Sequence, residues 1–104
     1  MNYDKVINKE NMEKPYALAC KNLGANRNNE SVEIAVNILK KLAELGYILA
    51  QTKWGENYEY GLYTDQNDDN AFYYYIKAAE QGDANSQFKI GSFFWNGKGV
   101  KKKL

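Results

Sequence analysis

Apolar residues recur at spacings of three and four in two stretches of the chain, and a glycine follows each stretch. This spacing places the apolar side chains on one face of a helix. The first stretch begins at Ser31, whose hydroxyl can accept from an early helical N–H, and ends before Gly46, a residue type suited to a left-handed C-cap. The pattern predicts a helix from Ser31 to Leu45. Its apolar face consists of Val32, Ala35, Ile38, Leu39, Leu42 and Ala43.

The second stretch lies one period further along the chain. Asn67 takes the capping place, Asp68 and Asp69 fill the first turn, where negative charge is favourable, and Gly82 ends the helix. The acidic cluster that Asp65, Asp68 and Asp69 form is therefore interpreted as helix capping and solvation rather than as a metal site. The predicted apolar face consists of Ala71, Tyr74, Tyr75, Ala78 and Ala79.

Two further helices are predicted at about 48–60 and 84–96, and each has a glycine at its middle, Gly55 or Gly91. An internal helical glycine costs about 1 kcal/mol relative to alanine, so we expect a compensating close approach of helices at both positions. A weaker helical pattern begins near Pro15, a residue suited to the first helical position.

The chain repeats itself at a period of 36 residues without an insertion. The step carries Gly46 onto Gly82 and Gly55 onto Gly91. Self-similarity at a period of this size is typical of a helical solenoid. Further identical pairs are Ala35 and Ala71, Lys41 and Lys77, Ala43 and Ala79, Glu44 and Glu80, Gln51 and Gln87, Lys53 and Lys89, and Gly61 and Gly97.

Two segments in this register resemble the Sel-one-like repeat family, a relative of the tetratricopeptide repeat. Residues 84–100 read ANSQFKIGSFFWNGKGV and resemble the first helix and loop of that repeat, and residues 70–82 read NAFYYYIKAAEQG and resemble the second helix. The resemblance covers residues 31–100. It implies an all-α fold, a short right-handed α-α solenoid of antiparallel helix pairs with about two and a half units.

On this interpretation residues 1–104 form a single α-solenoid domain. Residues 1–30 are a degenerate N-terminal half unit, 31–66 the first full unit, 67–100 the second unit and 101–104 a basic tail. The tail contains Lys101, Lys102 and Lys103, too few cations for a strong nucleic-acid site.

Composition limits the chemistry that the chain can perform. There are 14 basic and 13 acidic residues, so no global field attracts nucleic acid or an anionic membrane. There is no histidine, which removes the commonest general base and metal ligand. Cys20 is the only cysteine, which fits a reducing compartment and a cytoplasmic location. We expect no cofactor, no metal, no nucleic-acid partner and no membrane association.

Aromatic residues make up 14% of the chain, and this content favours a binding surface for a protein or peptide. The family resemblance implies that the first helix of each unit lines a concave groove. Mapped onto this chain, the predicted partner-binding residues are Leu49, Thr52, Glu56, Glu59 and Tyr60 in the first full unit, and Asn85, Phe88, Ser92, Trp95 and Asn96 in the second.

The last predicted helix carries three consecutive rings, Phe93, Phe94 and Trp95, which span about 200 degrees of its circumference. We expect Phe94 to turn inward and at least one other ring to lie near an open end. Phe93 and Trp95 are therefore predicted to support self-association as a homodimer, or capture of a partner, through this C-terminal end.

The sequence thus predicts a non-catalytic protein-binding module. An adaptor in a larger assembly and a cognate inhibitor or immunity protein both remain open. The alternative is a repeat-family enzyme or ligand binder of the β-lactam-binding type. The members of that type are secreted and have paired cysteines, whereas this chain has one cysteine.

Overall fold

A computed structural model describes residues 11–24 and 29–97, and every regular element in these residues is an α-helix. The predicted degenerate half unit and basic tail lie partly or wholly outside the described residues, as does the loop from Lys98 to Val100. The helices are α1 (Glu13–Gly24), α2 (Asn29–Glu44), α3 (Ile48–Tyr60), α4 (Asp68–Glu80) and α5 (Ala84–Asn96).

The bounds of α3 and α5 are those that the pattern predicts, but two helix starts differ. Helix α2 begins at Asn29, so Ser31 lies in its first turn and is not the residue before it. Helix α1 begins at Glu13, so Pro15 is its third residue and not its first. Proline is tolerated there because the first four N–H groups of a helix have no intrahelical acceptor.

Helices α2 and α4 each end in a turn, and the two turns have the same hydrogen-bond pattern. Gly46 and Gly82 have φ of +97° and +95°. The N–H of Tyr47 donates to the carbonyl of Leu42 at 3.0 Å, and one period later the N–H of Asp83 donates to Ala78 at 3.2 Å. Each glycine N–H also donates to the carbonyl three residues earlier, at 3.1 and 2.9 Å, which completes a Schellman motif in both turns.

Side chains cap the starts of α4 and α5. Asn67 Oδ1 accepts from the N–H of Asn70 at 3.0 Å, as predicted. Asp83 Oδ2 accepts from the N–H of Ser86 at 2.8 Å. Both caps satisfy a backbone donor that the helix itself leaves without an acceptor.

The chain divides into two compact units, one of residues 1–50 and one of residues 51–104. In the first, α1 packs on α2. Of the apolar face predicted for α2, only Val32 is partly exposed. The buried apolar residues of this unit are Ala19, Leu23, Ala35, Ile38, Leu39, Leu42, Ala43 and Ala50.

In the second unit α4 packs on α5 around Ala71, Tyr75 and Phe93, all three buried. The Phe93 ring lies 5.7 Å from Tyr75 in a T-shaped arrangement and 6.1 Å from Phe72 in a stacked one. The four consecutive aromatic residues from Phe72 to Tyr75 therefore differ in burial. Tyr75 faces the core, Phe72 and Tyr74 are half-buried, and Tyr73 is exposed.

Candidate interaction surface

Helices α3 and α4 approach closely at Gly55. A Cβ built on Gly55 would lie 2.6 Å from a ring carbon of Tyr75, a distance that no side chain could tolerate without a shift. The prediction of a close helix contact is confirmed at this glycine. Trp54 and Tyr58 extend the contact, with their rings 6.2 and 5.8 Å from that of Tyr74.

The predicted close contact at Gly91 is wrong. A Cβ on Gly91 would meet no atom of the described residues within 4 Å, and the residue is exposed. The ring over Gly55 belongs to Tyr75 of α4, and no described residue takes the equivalent place over Gly91.

Glu59 and Lys89 connect the three helices of the second unit. The Tyr75 hydroxyl donates to Glu59 Oε1 at 2.8 Å, and Lys89 Nζ donates to the same oxygen at 3.0 Å. Lys89 also donates to the Tyr60 hydroxyl at 2.8 Å and lies 5.2 Å from the centre of the Tyr60 ring. One carboxylate and one ammonium therefore hold α3, α4 and α5 together.

The buried position of this network changes its proton affinities. Burial raises the pKa of the Tyr75 phenol, and the hydrogen bond to Glu59 and the charges of Glu59 and Glu56 raise it further. Burial alone would lower the pKa of the Lys89 ammonium, but its hydrogen bonds to Tyr60 and Glu59 outweigh that effect and raise it. Both groups keep their protons at neutral pH.

The predicted groove residues of α3 differ in availability. Tyr60 is 58% exposed and Glu56 is exposed, whereas Thr52 is half-buried. The Glu59 side chain is largely buried in the network with Tyr75 and Lys89, so its role is in packing the helices. Leu49 is half exposed and belongs to the first unit.

The predicted groove residues of α5 lie on two faces. Phe88 and Trp95 are 76% and 80% exposed and point away from the core residue Phe93. Asn85, Ser92 and Asn96 form a polar strip beside them, and Asn96 Nδ2 donates to Ser92 Oγ at 3.4 Å. At the 36-residue step Phe88 and Trp95 correspond to Thr52 and Glu59, whereas the polar strip corresponds to Leu49, Glu56 and Tyr60.

Phe93 and Phe94 have exchanged their predicted places. Phe93, predicted near the open end, is 1% exposed, because it shares a helix face with Ser86 and Ile90 toward α4. Phe94, predicted to turn inward, is half exposed and contacts Phe72 edge-on at 5.4 Å. Of the two residues predicted for self-association, only Trp95 lies at the surface.

The sequence did not lead us to predict that Lys89 takes part in this network. Two features of the sequence indicate this role. Lys53 lies 36 residues before Lys89, and Lys89 lies between two apolar residues, Phe88 and Ile90. A lysine flanked by apolar residues on a packed helix is a candidate for an internal ion pair.

Residues 11–24 and 29–97 contain no group of three or more His, Cys, Asp or Glu side chains that could hold a metal ion. Cys20 is a half-buried free thiol. No described helix is long and apolar enough to cross a membrane.

Comparison with known proteins identifies the repeat. The family model described as the Sel1 repeat, the Sel-one-like repeat of the sequence analysis, matches residues 48–83 and 84–103. The first match spans α3, α4 and the turn at Gly82, and the second begins with α5. Together the matches cover more than half of the chain. Among curated proteins, none matches it.

Two solved structures resemble the fold. A Sel1 repeat protein from Oxalobacter formigenes aligns with a TM-score of 0.79 at 23% identity, over 92% of this chain and 28% of that one. The protein c5321, a protective antigen of uropathogenic Escherichia coli with an SLR fold, aligns with a TM-score of 0.79 at 26% identity, over 88% and 20%. This chain therefore spans less than a third of either structure. The fold is an all-α helical repeat of the solenoid class, as the resemblance implied.

Proposed function

The chain belongs to the Sel1 repeat family, whose members generally mediate protein–protein interactions, and from that premise we propose that it is a non-catalytic module that binds a protein or peptide. The proposed surface follows the groove side of α3 and α5. In the second unit it consists of the exposed side chains of Tyr60, Glu56, Asn85 and Asn96 and the half-buried side chain of Ser92.

The exposure and the fixed position of Tyr60 are the main support for this proposal. Tyr60 is a large ring, 58% exposed, and Lys89 holds it in place through a hydrogen bond of 2.8 Å to its hydroxyl and a cation–π contact. An exposed ring whose position is already fixed loses little entropy when it enters an interface, which is how tyrosine contributes strongly to binding. The amides and the carboxylate around it supply polar contacts for the rim of an interface.

The test compares two tyrosines of similar exposure. Tagged protein with Tyr60→Ala is expected to lose affinity for the partner that the parent captures, by about 1 kcal/mol or more. Tyr73→Ala is the matched control, because Tyr73 is 54% exposed but lies on α4. The captured partner is identified by mass spectrometry, and its affinity for the parent and both variants is measured by calorimetry.

Equal affinity of the parent and the Tyr60→Ala variant would contradict this surface, provided that circular dichroism shows both proteins equally helical. If Tyr73→Ala were the weaker binder, the interface would lie on α4. Both outcomes are read from one set of titrations.

Two roles follow from noncovalent binding, an adaptor in a larger assembly and a cognate inhibitor or immunity protein. They differ in what the partner does after it is bound: an inhibitor abolishes the partner's own activity, whereas an adaptor leaves it intact. An activity assay of the captured partner separates them. We place the module in the cytoplasm, since the single half-buried thiol of Cys20 suits a reducing compartment, and cell fractionation tests this placement.

A further inference from the structure

Glu56 and Tyr60 lie one turn apart on an exposed side of α3, and we call this pair the Glu56–Tyr60 site. Residues four apart on a helix are neighbours on its surface, with Cβ atoms about 5 to 6 Å apart. Glu56 is exposed and Tyr60 is 58% exposed, although α4 and α5 both contact α3. The site therefore stays open to solvent while the helices around it are packed.

The carboxylate of Glu56 has no counter-ion. Glu59, three residues later, is neutralised by Lys89, whose Nζ lies at 3.0 Å. Glu56 forms no hydrogen bond or ion pair with any described residue, and this includes Lys53, three residues before it. The carboxylate still lies close to the network, because its charge adds to burial and to the Glu59 hydrogen bond in raising the pKa of the Tyr75 phenol. An exposed anion is thus held beside an aromatic ring.

The Tyr60 ring is fixed at one end. Lys89 Nζ lies 2.8 Å from the Tyr60 hydroxyl oxygen but 5.2 Å from the ring centre, so the ammonium is at the hydroxyl end of the ring. A helical side chain leans toward the N-terminus of its helix, which brings the ring toward the turn that carries Glu56. A group that enters the site therefore meets an aromatic surface and a carboxylate together.

Helix α4 contains a similar pair, and there the chain supplies the cation itself. Asp69 lies four residues before Tyr73, whose ring is exposed, and Lys77 lies four residues after it. The Lys77 ammonium is 5.4 Å from the centre of the Tyr73 ring. At Tyr60 the neighbouring cation, Lys89, is already paired with a carboxylate other than that of the site. The pair on α4 thus shows the contact that the pair on α3 has still to make.

The chemistry of the site favours a cation over the other side chains of a partner. An apolar side chain would remove Glu56 from water without replacing its hydrogen bonds, and a carboxylate would be repelled. Lysine pairs with a carboxylate as a point charge only. Arginine pairs with it through two N–H groups and stacks its plane on an aromatic ring at the same time, because the guanidinium is flat and weakly hydrated.

We propose that the Glu56–Tyr60 site binds an arginine side chain of the partner, with the guanidinium stacked on the Tyr60 ring and paired with the Glu56 carboxylate. The inference rests on the proposed function, since it names the chemistry that the partner brings to the same surface. Arginine and tyrosine are both among the residues that contribute most to protein interfaces. The partner is thus a protein or peptide that presents a basic segment.

The probe is N-acetyl-arginine amide, titrated into the full chain with isotopically labelled tyrosine rings and followed by nuclear magnetic resonance. Tyr60→Phe and Tyr73→Phe variants assign the signals of the two rings. N-acetyl-citrulline amide has nearly the same shape without the charge, and N-acetyl-lysine amide has the charge without the plane. All titrations are made at equal ionic strength, because salt screens exposed charges.

The Tyr60 signal is expected to shift saturably with the arginine probe, to respond more weakly to lysine and not to respond to citrulline. Glu56→Gln should weaken binding of the arginine probe about threefold, a typical effect for an exposed ion pair. Glu80→Gln makes the same change at an exposed carboxylate of α4 and should bind as the parent does. The Tyr73 ring is an internal control, because Lys77 already lies against it.

Three results would each overturn the proposal: no saturable shift of the Tyr60 signal, equal affinity for the citrulline and arginine probes, or equal affinity of the parent and the Glu56→Gln variant for arginine. An equal saturable shift of the Tyr73 signal would count against it as well, since binding would then not depend on this site. The citrulline comparison uses the parent protein, so it decides the question even where a variant is unstable.

This proposal and the proposed function can fail separately. If the arginine probe does not bind but Tyr60→Ala still weakens the captured partner, the surface is correct and the arginine chemistry is wrong. If Tyr60→Ala leaves the affinity for the captured partner unchanged, the proposed surface is wrong, even where the Tyr60 signal responds to arginine.

Discussion

At the scale of single residues, the effect of a helical glycine depends on what lies above it. Gly55 lies beneath the Tyr75 ring and Gly91 lies in open space, although both occupy the middle of the first helix of a repeat. The two positions therefore form a natural pair in which helix propensity is the same and only the packing differs.

We predict that Gly55→Leu lowers the free energy of unfolding by about 1 to 3 kcal/mol, because the new side chain overpacks against Tyr75. Gly91→Leu is expected to leave it unchanged or raise it by up to about 1 kcal/mol, since leucine favours a helix more than glycine does. Urea denaturation of both variants measures the difference. Equal stability of the two variants would contradict the account of Gly55.

A second residue of interest is Asn57, which is fully buried with no hydrogen-bond partner for either side-chain atom among the described residues. Its equivalent one period later is the core residue Phe93. A buried amide without a partner costs free energy, so Asn57→Leu is predicted to raise the free energy of unfolding by about 1 kcal/mol. A lower melting temperature in this variant would show instead that the amide is satisfied, for example by a buried water.

At the scale of elements, the bounds of α3 and α5 were predicted well because glycines that favour turns lie on both sides of each helix. A Schellman turn with a glycine precedes each of them, and Gly61 or Gly97, with φ of +64° and +70°, follows. The start of α2 was harder. Asn29 and Ser31 are both residue types that favour helix starts, and local sequence does not choose between them.

The sequence predicted the exposure of a surface residue only where that exposure does not depend on packing between two helices. The choice of Tyr60, Phe88 and Trp95, which are all exposed, followed from the family resemblance. The order of Phe93 and Phe94 did not, because with three consecutive rings the inward one is set by packing against α4, where Phe93 fits between Phe72 and Tyr75. The open space at Gly91 could not be predicted either. The 36-residue register gives the position of a residue within the repeat, but it does not show whether another helix packs against that residue.

The cap of α4 gives an element-scale prediction. Asn67→Ala should lower the free energy of unfolding by about 0.5 to 2 kcal/mol, because the N–H of Asn70 loses its acceptor and alanine cannot replace it. Asn70→Ala is the control: the side chain is exposed and the backbone N–H that the cap satisfies is retained. If the two variants melted at the same temperature, the cap would not contribute to stability.

At the scale of the whole molecule, the absence of histidine makes stability insensitive to pH near neutrality. Between about pH 6 and 8 no side chain with an ordinary pKa in that range is present, so the melting temperature is predicted to form a plateau. A slope within this range, measured by calorimetry, would require a group titrating there in either state.

The plateau is expected to end on the alkaline side. The pKa of Tyr75 is raised in the folded state, so above about pH 10 the unfolded chain releases a proton that the folded chain retains. The stabilisation by Tyr75 is complete below pH 10 and is lost as the pH rises further. Burial and the charge of Glu13 raise the pKa of Tyr47 as well, with the same sign.

Tyr75→Phe should reduce this alkaline loss, because phenylalanine keeps the ring over Gly55 and has no proton to release. In the parent, absorbance at 295 nm should show Tyr75 ionising only together with unfolding, which circular dichroism follows independently. Identical alkaline slopes in the parent and the Tyr75→Phe variant would contradict this role.

Because the turns at Gly46 and Gly82 have the same geometry, the 36 residues between them can be removed or duplicated without changing the type of turn. Each turn uses two backbone hydrogen bonds and a glycine, and the residue that follows contributes only its N–H, whether it is Tyr47 or Asp83. An in-frame recombination that removed or duplicated residues 47–82 would join Gly46 to Asp83, or Gly82 to Tyr47, through a turn that the chain already makes. A gene of this kind can gain or lose units in evolution without requiring any new loop.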